Sequence, residues 1–118
     1  MIDLYQGALV LVDFNYSNQV QSKLRPALVV SNSRNNRISR DIVVMKVTSK
    51  EPKRWGLPIS NNDLVTGSLE FDSFVQIDAL YSLEKSIIHA VIGTLSPEKM
   101  NDIKKQVSDL LSLDTPSV

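Results

Sequence analysis

An arginine and a threonine at the borders of two apolar segments are the residues of this sequence best suited to chemistry. Arg25 precedes Pro26 and an apolar run, which predicts a buried strand because the residue before a proline favours extended backbone. Thr48 closes a second apolar segment, residues 42–48. If these strands pair as antiparallel neighbours, the two side chains meet at one end of the sheet. A permanently charged guanidinium and a hydroxyl there would hold a phosphodiester and stabilise the negative charge that develops on it.

Such a pair suits metal-free cleavage of RNA, because the ribose 2′-hydroxyl supplies the nucleophile from within the substrate. Since arginine keeps its proton in proteins, we expect Arg25 to stabilise charge rather than to act as a base, and Thr48 to orient the phosphate or relay a proton. Spacing alone leaves a structural role open for both. Single cations before strands are commonly solvated, and threonine is frequent at strand ends.

The charges of the chain are unevenly distributed along the sequence. The formal net charge is zero, from thirteen basic and thirteen acidic residues. Residues 23–54, however, contain nine basic residues and two acidic ones, a local net charge of +7. This asymmetry predicts a basic surface for nucleic acid or for an acidic peptide, although a scatter of solvated charges would explain it equally well.

Composition excludes several other classes of protein and site. The chain has 118 residues, 42% of them hydrophobic and 22% charged, which indicates one globular domain spanning residues 1–118. No apolar run is long enough to cross a bilayer, and the first residues do not resemble a signal peptide, so we expect a cytoplasmic protein without membrane contact. The absence of cysteine excludes disulfides and thiolate chemistry.

The remaining titratable side chains point to structural or solvated roles. His89, the single histidine, lies within an apolar segment and is expected to be packed rather than catalytic. Glu70, Asp72 and Asp78 are close in sequence, but nothing supplies the further ligands that a divalent ion needs, so we expect solvated acids and no metal site. Trp55 lies among basic residues, where it would either stack on a base or cover apolar atoms at the rim of a barrel.

Hydrophobic periodicity predicts many short strands followed by one helix. Strands are expected at residues 7–14, 25–31, 42–48, 57–59, 67–71, 73–78 and 86–94. Residues 15–23 are predicted to form a long polar loop beside Arg25, residues 32–37 an exposed turn, and residues 60–66 a polar turn, while residues 78–85 have no clear assignment.

The end of the chain changes to a helical period. Ser96 and Pro97 are a favourable N-cap and first position, and apolar residues then recur on one helical stripe, namely Met100, Ile103, Val107, Leu110 and Leu111. Residues 114–118 are expected to fray. The pattern indicates a mainly β fold, a strongly curved sheet or partly open barrel, closed by a C-terminal helix. The first strand is apolar on both faces, so its second face must be covered by the helix or by a second copy of the chain.

Several segments in combination resemble the PemK/MazF-type toxins of bacterial toxin–antitoxin systems. They are the strand at 7–14, the Arg-Pro-Ala-Leu-Val-Val-Ser-Asn run at 25–32 and Val-Thr-Ser at 47–49, followed by residues 72–80 and 92–96 up to the terminal helix. The resemblance implies a small SH3-like β-barrel of the CcdB/MazF type that forms a homodimer. It also implies a sequence-selective endoribonuclease for single-stranded RNA, chiefly mRNA, that needs no metal or cofactor and is neutralised by a cognate acidic antitoxin.

The resemblance also implies roles for individual residues. Arg25 and Thr48 match the catalytic arginine and threonine, and residues 15–23 match a mobile loop over the substrate. The positions expected to contact RNA are Asn15, Tyr16, Gln19, Lys23, Asn32, Ser49, Lys50, Lys53 and Ser73. Residues 73–75 differ from the Asp-Gln-Ile of many members, which leaves the base-reading residues open. A gyrase-poisoning toxin of the same fold and a non-catalytic RNA-binding barrel remain alternatives.

Overall fold

The computed structural model describes residues 2–13 and 23–115. Its strands and helices are, in chain order, β1 (Ala8–Asp13), β2 (Leu24–Val29), α1 (Ser33–Ile38), β3 (Asp41–Thr48), β4 (Gly56–Ile59), β5 (Leu64–Gly67), β6 (Ser73–Glu84), β7 (Ile88–Leu95) and α2 (Pro97–Leu110). Within these residues the strands form one antiparallel sheet in the order β4-β6-β3-β2-β1-β7-β5. The mainly β fold with a C-terminal helix is confirmed.

The sheet curls because its long strands change register along their length. Met45 of β3 pairs with Leu80 of β6, whereas the next residue, Lys46, pairs with Gln76, so β6 carries three extra residues at this point. Such irregularities bend a strand and increase its twist. The result is a curled half-barrel, as expected for a partly open barrel.

Strand β1 lies between β2 and β7, and both of its faces are buried, as its apolar sequence predicts. On one face, α2 packs against the first core, which is formed by Leu9, Leu28, Met45, Val47, Leu57, Ile59, Leu69, Val75, Ile77, Leu95 and Ile103. On the opposite face lies a second core, formed by Leu4, Ala8, Val10, Val12, Ala27, Val29, Ile42, Val44, Leu83 and Ile88.

The expectation that the helix or a second copy must cover the second face is wrong. The chain covers it with its own residues: Leu4 comes from the segment before β1, and Leu83 and Ile88 flank the connection between β6 and β7. Periodicity does not show that β6 pairs with β3 and β7 with β1, which brings Leu83 and Ile88 into this core. The apolar residues on the second face of β1 are therefore buried by residues of the same chain.

Residues 32–37 do not form an exposed turn, because α1 occupies Ser33–Ile38. Asn32 is the N-cap, and its Oδ1 accepts a hydrogen bond from the N–H of Asn35 at 2.9 Å. Asn36 is 3% exposed; its Oδ1 accepts from the Ser31 hydroxyl, and its Nδ2 donates to the Ser31 carbonyl at 3.0 Å. These local bonds allow a polar sequence to form a short helix that turn propensity alone does not indicate.

The strand expected at residues 67–71 is also wrong, since β5 occupies Leu64–Gly67. Gly67 ends β5 with φ +80, and a Cβ built on it would lie 2.1 Å from the Ile92 carbonyl oxygen. Beyond it, Asn61 holds the backbone of Leu69 through its side-chain amide, accepting from the N–H at 2.6 Å. Residues 78–84, left without assignment, continue β6.

Helix α2 begins where the sequence predicts. The Ser96 hydroxyl accepts from the Lys99 N–H at 3.2 Å. Met100, Ile103, Val107 and Leu110 pack on the first core. Leu111 is 65% exposed because the helix ends there. Residues 114 and 115 have no regular structure, and residues 116–118 lie outside the described part of the chain. Neither described helix is long and apolar enough to span a membrane.

Candidate active site

The register of β2 and β3 brings Arg25 and Thr48 to the same level of the sheet. The two strands are antiparallel, and Ala27 pairs with Lys46. Continuing this register by two residues places Arg25 opposite Thr48, and neighbouring strands lie about 5 Å apart. Both residues therefore project on the same side of the sheet, since residues paired across an antiparallel ladder share a face. Arg25 is exposed and Thr48 is half-buried.

A turn after β3 fixes the hydroxyl of Thr48. Its Oγ1 accepts a hydrogen bond from the backbone N–H of Lys50 at 3.1 Å. A hydroxyl has one donor and two acceptor positions, so this bond leaves the O–H proton and one lone pair for a ligand. The corner thus presents an oriented hydroxyl beside a guanidinium.

The surface that carries this pair is the side of β2, β3 and β6 facing away from α2, which we call the site face. Thr48 pairs with Phe74 of β6, and Lys46 pairs with Gln76. The intervening Val47 and Val75 point the other way, into the first core. The site face therefore adds an aromatic ring, a cation and an amide to the Arg25 and Thr48 pair.

Sequence reasoning missed Lys46, Phe74 and Gln76. Alternation along β6 was the available signal, because Ser73, Val75 and Ile77 form one buried row and Phe74 and Gln76 form the opposite row. Only the β3–β6 register, which pairs Thr48 with Phe74 across a sequence separation of 26 positions, shows that this second row adjoins Thr48.

The nine cations of residues 23–54 separate into two groups at opposite ends of β2 and β3. All of them are exposed. Six lie on β2 and β3 or in the segments that precede β2 and follow β3: Lys23, Arg25, Lys46, Lys50, Lys53 and Arg54. The other three lie on or just after α1 at the far end: Arg34, Arg37 and Arg40. The larger group surrounds the candidate site with positive charge, which favours an anionic ligand.

Two residues expected to contact RNA do not join this site. Asn32 follows the opposite end of β2 from Arg25, and its side chain caps α1. Ser73 is 6% exposed, lies on the core side of β6, and donates its hydroxyl proton to the Phe71 carbonyl at 2.8 Å. Both side chains have structural partners.

Lys23, Ser49 and Lys50 are exposed beside the Arg25 and Thr48 end of the sheet, and Lys53 is exposed in the connection between β3 and β4. Three further expected contacts lie outside the described residues, namely Asn15, Tyr16 and Gln19, as does most of the polar loop predicted at 15–23.

The remaining candidates are separate from the site. His89 is exposed on β7, so the expectation of a packed histidine is wrong; its neighbour Ile88 takes the buried position. Trp55 packs against the first core with φ 61, which fits the role of a rim cover. Glu70, Asp72 and Asp78 are exposed, as expected. Among residues 2–13 and 23–115, no three His, Cys, Asp or Glu side chains come together as a metal-binding group.

Comparison with known proteins decides the family. A family model described as "PemK-like, MazF-like toxin of type II toxin-antitoxin system" matches residues 5–111. The chain belongs to this family. The match covers β1 through the last residue of α2, and thus every element that positions Arg25, Thr48 and Phe74. A comparison with curated proteins gave no match.

Solved structures of similar fold agree with this membership. An endoribonuclease from a mycobacterial species, in complex with its cognate antitoxin, is 25% identical, with 98% of this chain and 100% of the other covered and a TM-score of 0.73. A MazE–MazF complex from Deinococcus radiodurans is 20% identical, with coverages of 97% and 100% and a TM-score of 0.76. The Mycobacterium tuberculosis toxin MazF-mt6 is 16% identical, with coverages of 92% and 99% and a TM-score of 0.73. The PemK/MazF-like chain thus has the MazF fold.

Proposed function

We propose that this PemK/MazF-like toxin is an endoribonuclease that cleaves single-stranded RNA, chiefly mRNA, with sequence selectivity and without a metal ion or other cofactor. The observation that carries the proposal is that Arg25 and Thr48 lie opposite each other on neighbouring strands of the site face. The exposed cations around the pair and the endoribonuclease of similar fold and 25% identity support it further. RNA fits because its backbone is polyanionic and contains its own nucleophile.

The chemistry requires one bond to form and one to break at phosphorus. The ribose 2′-oxygen bonds to phosphorus while the bond from phosphorus to the 5′-oxygen breaks, which gives a 2′,3′-cyclic phosphate and a 5′-hydroxyl. The 2′-hydroxyl loses a proton and the leaving 5′-oxygen gains one, so charge and atoms balance. The protein must hold the phosphate, stabilise the added negative charge and help the proton move.

Arg25 and Thr48 divide these tasks. The guanidinium of Arg25 donates planar, charge-assisted hydrogen bonds to the non-bridging phosphate oxygens, and these strengthen as charge accumulates in the transition state. The Thr48 hydroxyl is held by the Lys50 N–H and makes no other hydrogen bond within residues 2–13 and 23–115, which leaves its proton and one lone pair for the substrate. The hydroxyl orients the phosphate and relays a proton: its oxygen accepts the proton of the ribose 2′-hydroxyl while the threonine's own hydroxyl proton is passed on.

The proposal is tested by incubating the protein with a long single-stranded RNA in EDTA and mapping the new ends. Arg25→Ala should lower cleavage at least 100-fold, because a donor aimed at the developing charge contributes about that much. Arg34→Ala removes an equally exposed arginine from α1 at the far end and should leave cleavage unchanged. Intact RNA with the wild-type protein would reject the proposal, as would equal cleavage by Arg25→Ala. RNA that is bound with steep salt dependence but stays intact would indicate a binding protein.

We further propose that the partners include a cognate antitoxin with an acidic inhibitory segment, and that the toxin is a cytoplasmic homodimer. The MazE–MazF complexes of similar fold and the exposed cations beside Thr48 support the antitoxin docking. Charge reversal at Lys50 and Lys53 should weaken binding of the cognate antitoxin about tenfold or more at low salt, whereas reversal at Lys105 on α2 should not. Unchanged affinity would argue against this docking mode. Sedimentation equilibrium tests the dimer.

A further inference from the structure

We propose that Phe74 stacks on a nucleobase of the bound RNA beside the phosphate held by Arg25 and Thr48, and so fixes which phosphodiester reaches the catalytic pair. This inference rests on the proposed function and assigns a base-binding residue to that site. An RNA strand has a similar phosphate at every nucleotide, so a second contact is needed to position one particular phosphodiester at the catalytic pair.

The register places Phe74 directly beside the pair. The Cα of Phe74 is the cross-strand partner of Thr48 on one side and of Pro58 on the other. Arg25 lies one strand beyond Thr48, so its Cα is about 10 Å from that of Phe74, two strand spacings away. A row of guanidinium, hydroxyl and phenyl groups therefore crosses three adjacent strands.

The ring points away from the core and remains accessible. Ser73 and Val75, its neighbours along β6, are 6% and 0% exposed on the core side. Alternation along the strand directs Phe74 to the site face, where it is half-buried. It belongs to neither of the two cores. A regular strand holds its backbone, so little freedom is lost when a base stacks on it.

The surroundings of the ring favour a nucleic acid over an apolar partner. One row further along the site face are Lys46, which is exposed, and Gln76, whose Nε2 donates to Asp78 Oδ1 at 3.3 Å. With Arg25 and Thr48, these groups place two cations, a hydroxyl and an amide on the same face as the ring, against the one carboxylate of Asp78 that the amide binds. Cations for the backbone combined with an aromatic platform for a base are the usual components of single-stranded nucleic-acid binding.

The test compares Phe74→Leu, which keeps an apolar side chain but removes the π-face, with Phe74→Tyr, which keeps it. The substrate is a short RNA spanning the cleavage site that end mapping identifies. Stacking contributes about 1–3 kcal/mol per base, so Phe74→Leu should raise KM about 5- to 150-fold with kcat within about threefold. Phe74→Tyr should stay within about twofold in both parameters. If the KM of Phe74→Leu equals that of the wild type, the proposal is overturned.

A modified substrate separates stacking from a structural effect. Replacing single nucleotides on each side of the cleaved bond by abasic residues should raise the wild-type KM at one position by the same factor as Phe74→Leu. In the leucine variant, the abasic residue at that position should cause no further loss. If no abasic residue at any position raises the KM of the wild-type protein, the proposal is overturned. This result does not depend on whether Phe74→Leu folds.

A binding measurement distinguishes failure of this inference from failure of the proposed function. Fluorescence anisotropy with a labelled single-stranded RNA needs no cleavage. If the wild type binds RNA without cutting it, the proposed function fails, while weaker binding by Phe74→Leu than by Phe74→Tyr still supports stacking. If the wild type cuts RNA and the two variants bind and cut equally, stacking fails and the endoribonuclease function stands.

Discussion

Replacing Thr48 by valine removes the hydroxyl of the candidate site while nearly preserving side-chain volume. Among the described residues this hydroxyl makes one hydrogen bond, accepting from the Lys50 N–H at 3.1 Å at an exposed corner. Its loss should cost about 0.5–1.5 kcal/mol of folding free energy. For a chain of this length, the melting temperature falls by roughly 3–6 °C per kcal/mol. Thr48→Val should therefore remain folded at 25 °C.

The effect on catalysis should be much larger than the effect on stability. A hydroxyl that orients the phosphate and relays a proton acts in the transition state, where removing one such group typically costs about 100- to 1000-fold in kcat. The assay is single-turnover cleavage of a short RNA together with a thermal melt. Thr48→Ser keeps the hydroxyl and should retain activity within about tenfold, and Arg34→Ala, on α1 at the far end of the sheet, should stay within about threefold. Thr48→Val activity within threefold of wild type would refute the role of this hydroxyl.

Three further predictions concern stability and binding. Asn36→Ala should lower the free energy of unfolding by about 1–3 kcal/mol in denaturant titration, because it removes the acceptor of the Ser31 hydroxyl proton and a donor to the Ser31 carbonyl, both made by a buried side chain; a loss under 0.3 kcal/mol would contradict this. Gly67→Ala should cost more than about 2 kcal/mol, since the new Cβ would lie 2.1 Å from a backbone oxygen at positive φ, and unchanged stability would refute it. Lys50→Ala should reduce the salt slope of RNA binding by about 0.7, whereas Arg37→Ala should not; equal slopes would exclude a phosphate contact.

The sequence supports the fold class because periodicity is strong where both faces of a strand are buried. The central strand β1 and helix α2 follow directly from their apolar patterns and, for α2, from Ser96 and Pro97. Helix α1 does not, since it depends on buried hydrogen bonds of Asn36 that become possible only beside β3. The cover of the second core was equally inaccessible, because it depends on the long-range pairing of β6 with β3 and of β7 with β1.

The candidate site could be predicted in its centre but not in its surroundings. Arg25 and Thr48 border apolar runs, and short strand separation makes antiparallel pairing of β2 and β3 a natural expectation that the structure confirms. Phe74 belongs to a strand reached after two intervening elements, β4 and β5, so its position beside Thr48 depends on a long-range register. The same register places Ser73 on the core side, which a family match alone does not reveal.

Mass spectrometry of the cleavage products tests the central claim most directly. RNA treated with the wild-type protein in EDTA should yield fragments ending in a 2′,3′-cyclic phosphate and fragments beginning with a 5′-hydroxyl. A substrate with a single 2′-deoxynucleotide at the cleavage position, or the Arg25→Ala variant, should yield neither. Fragments with 5′-phosphate ends, or cleavage that persists after removal of the 2′-hydroxyl, would contradict the account.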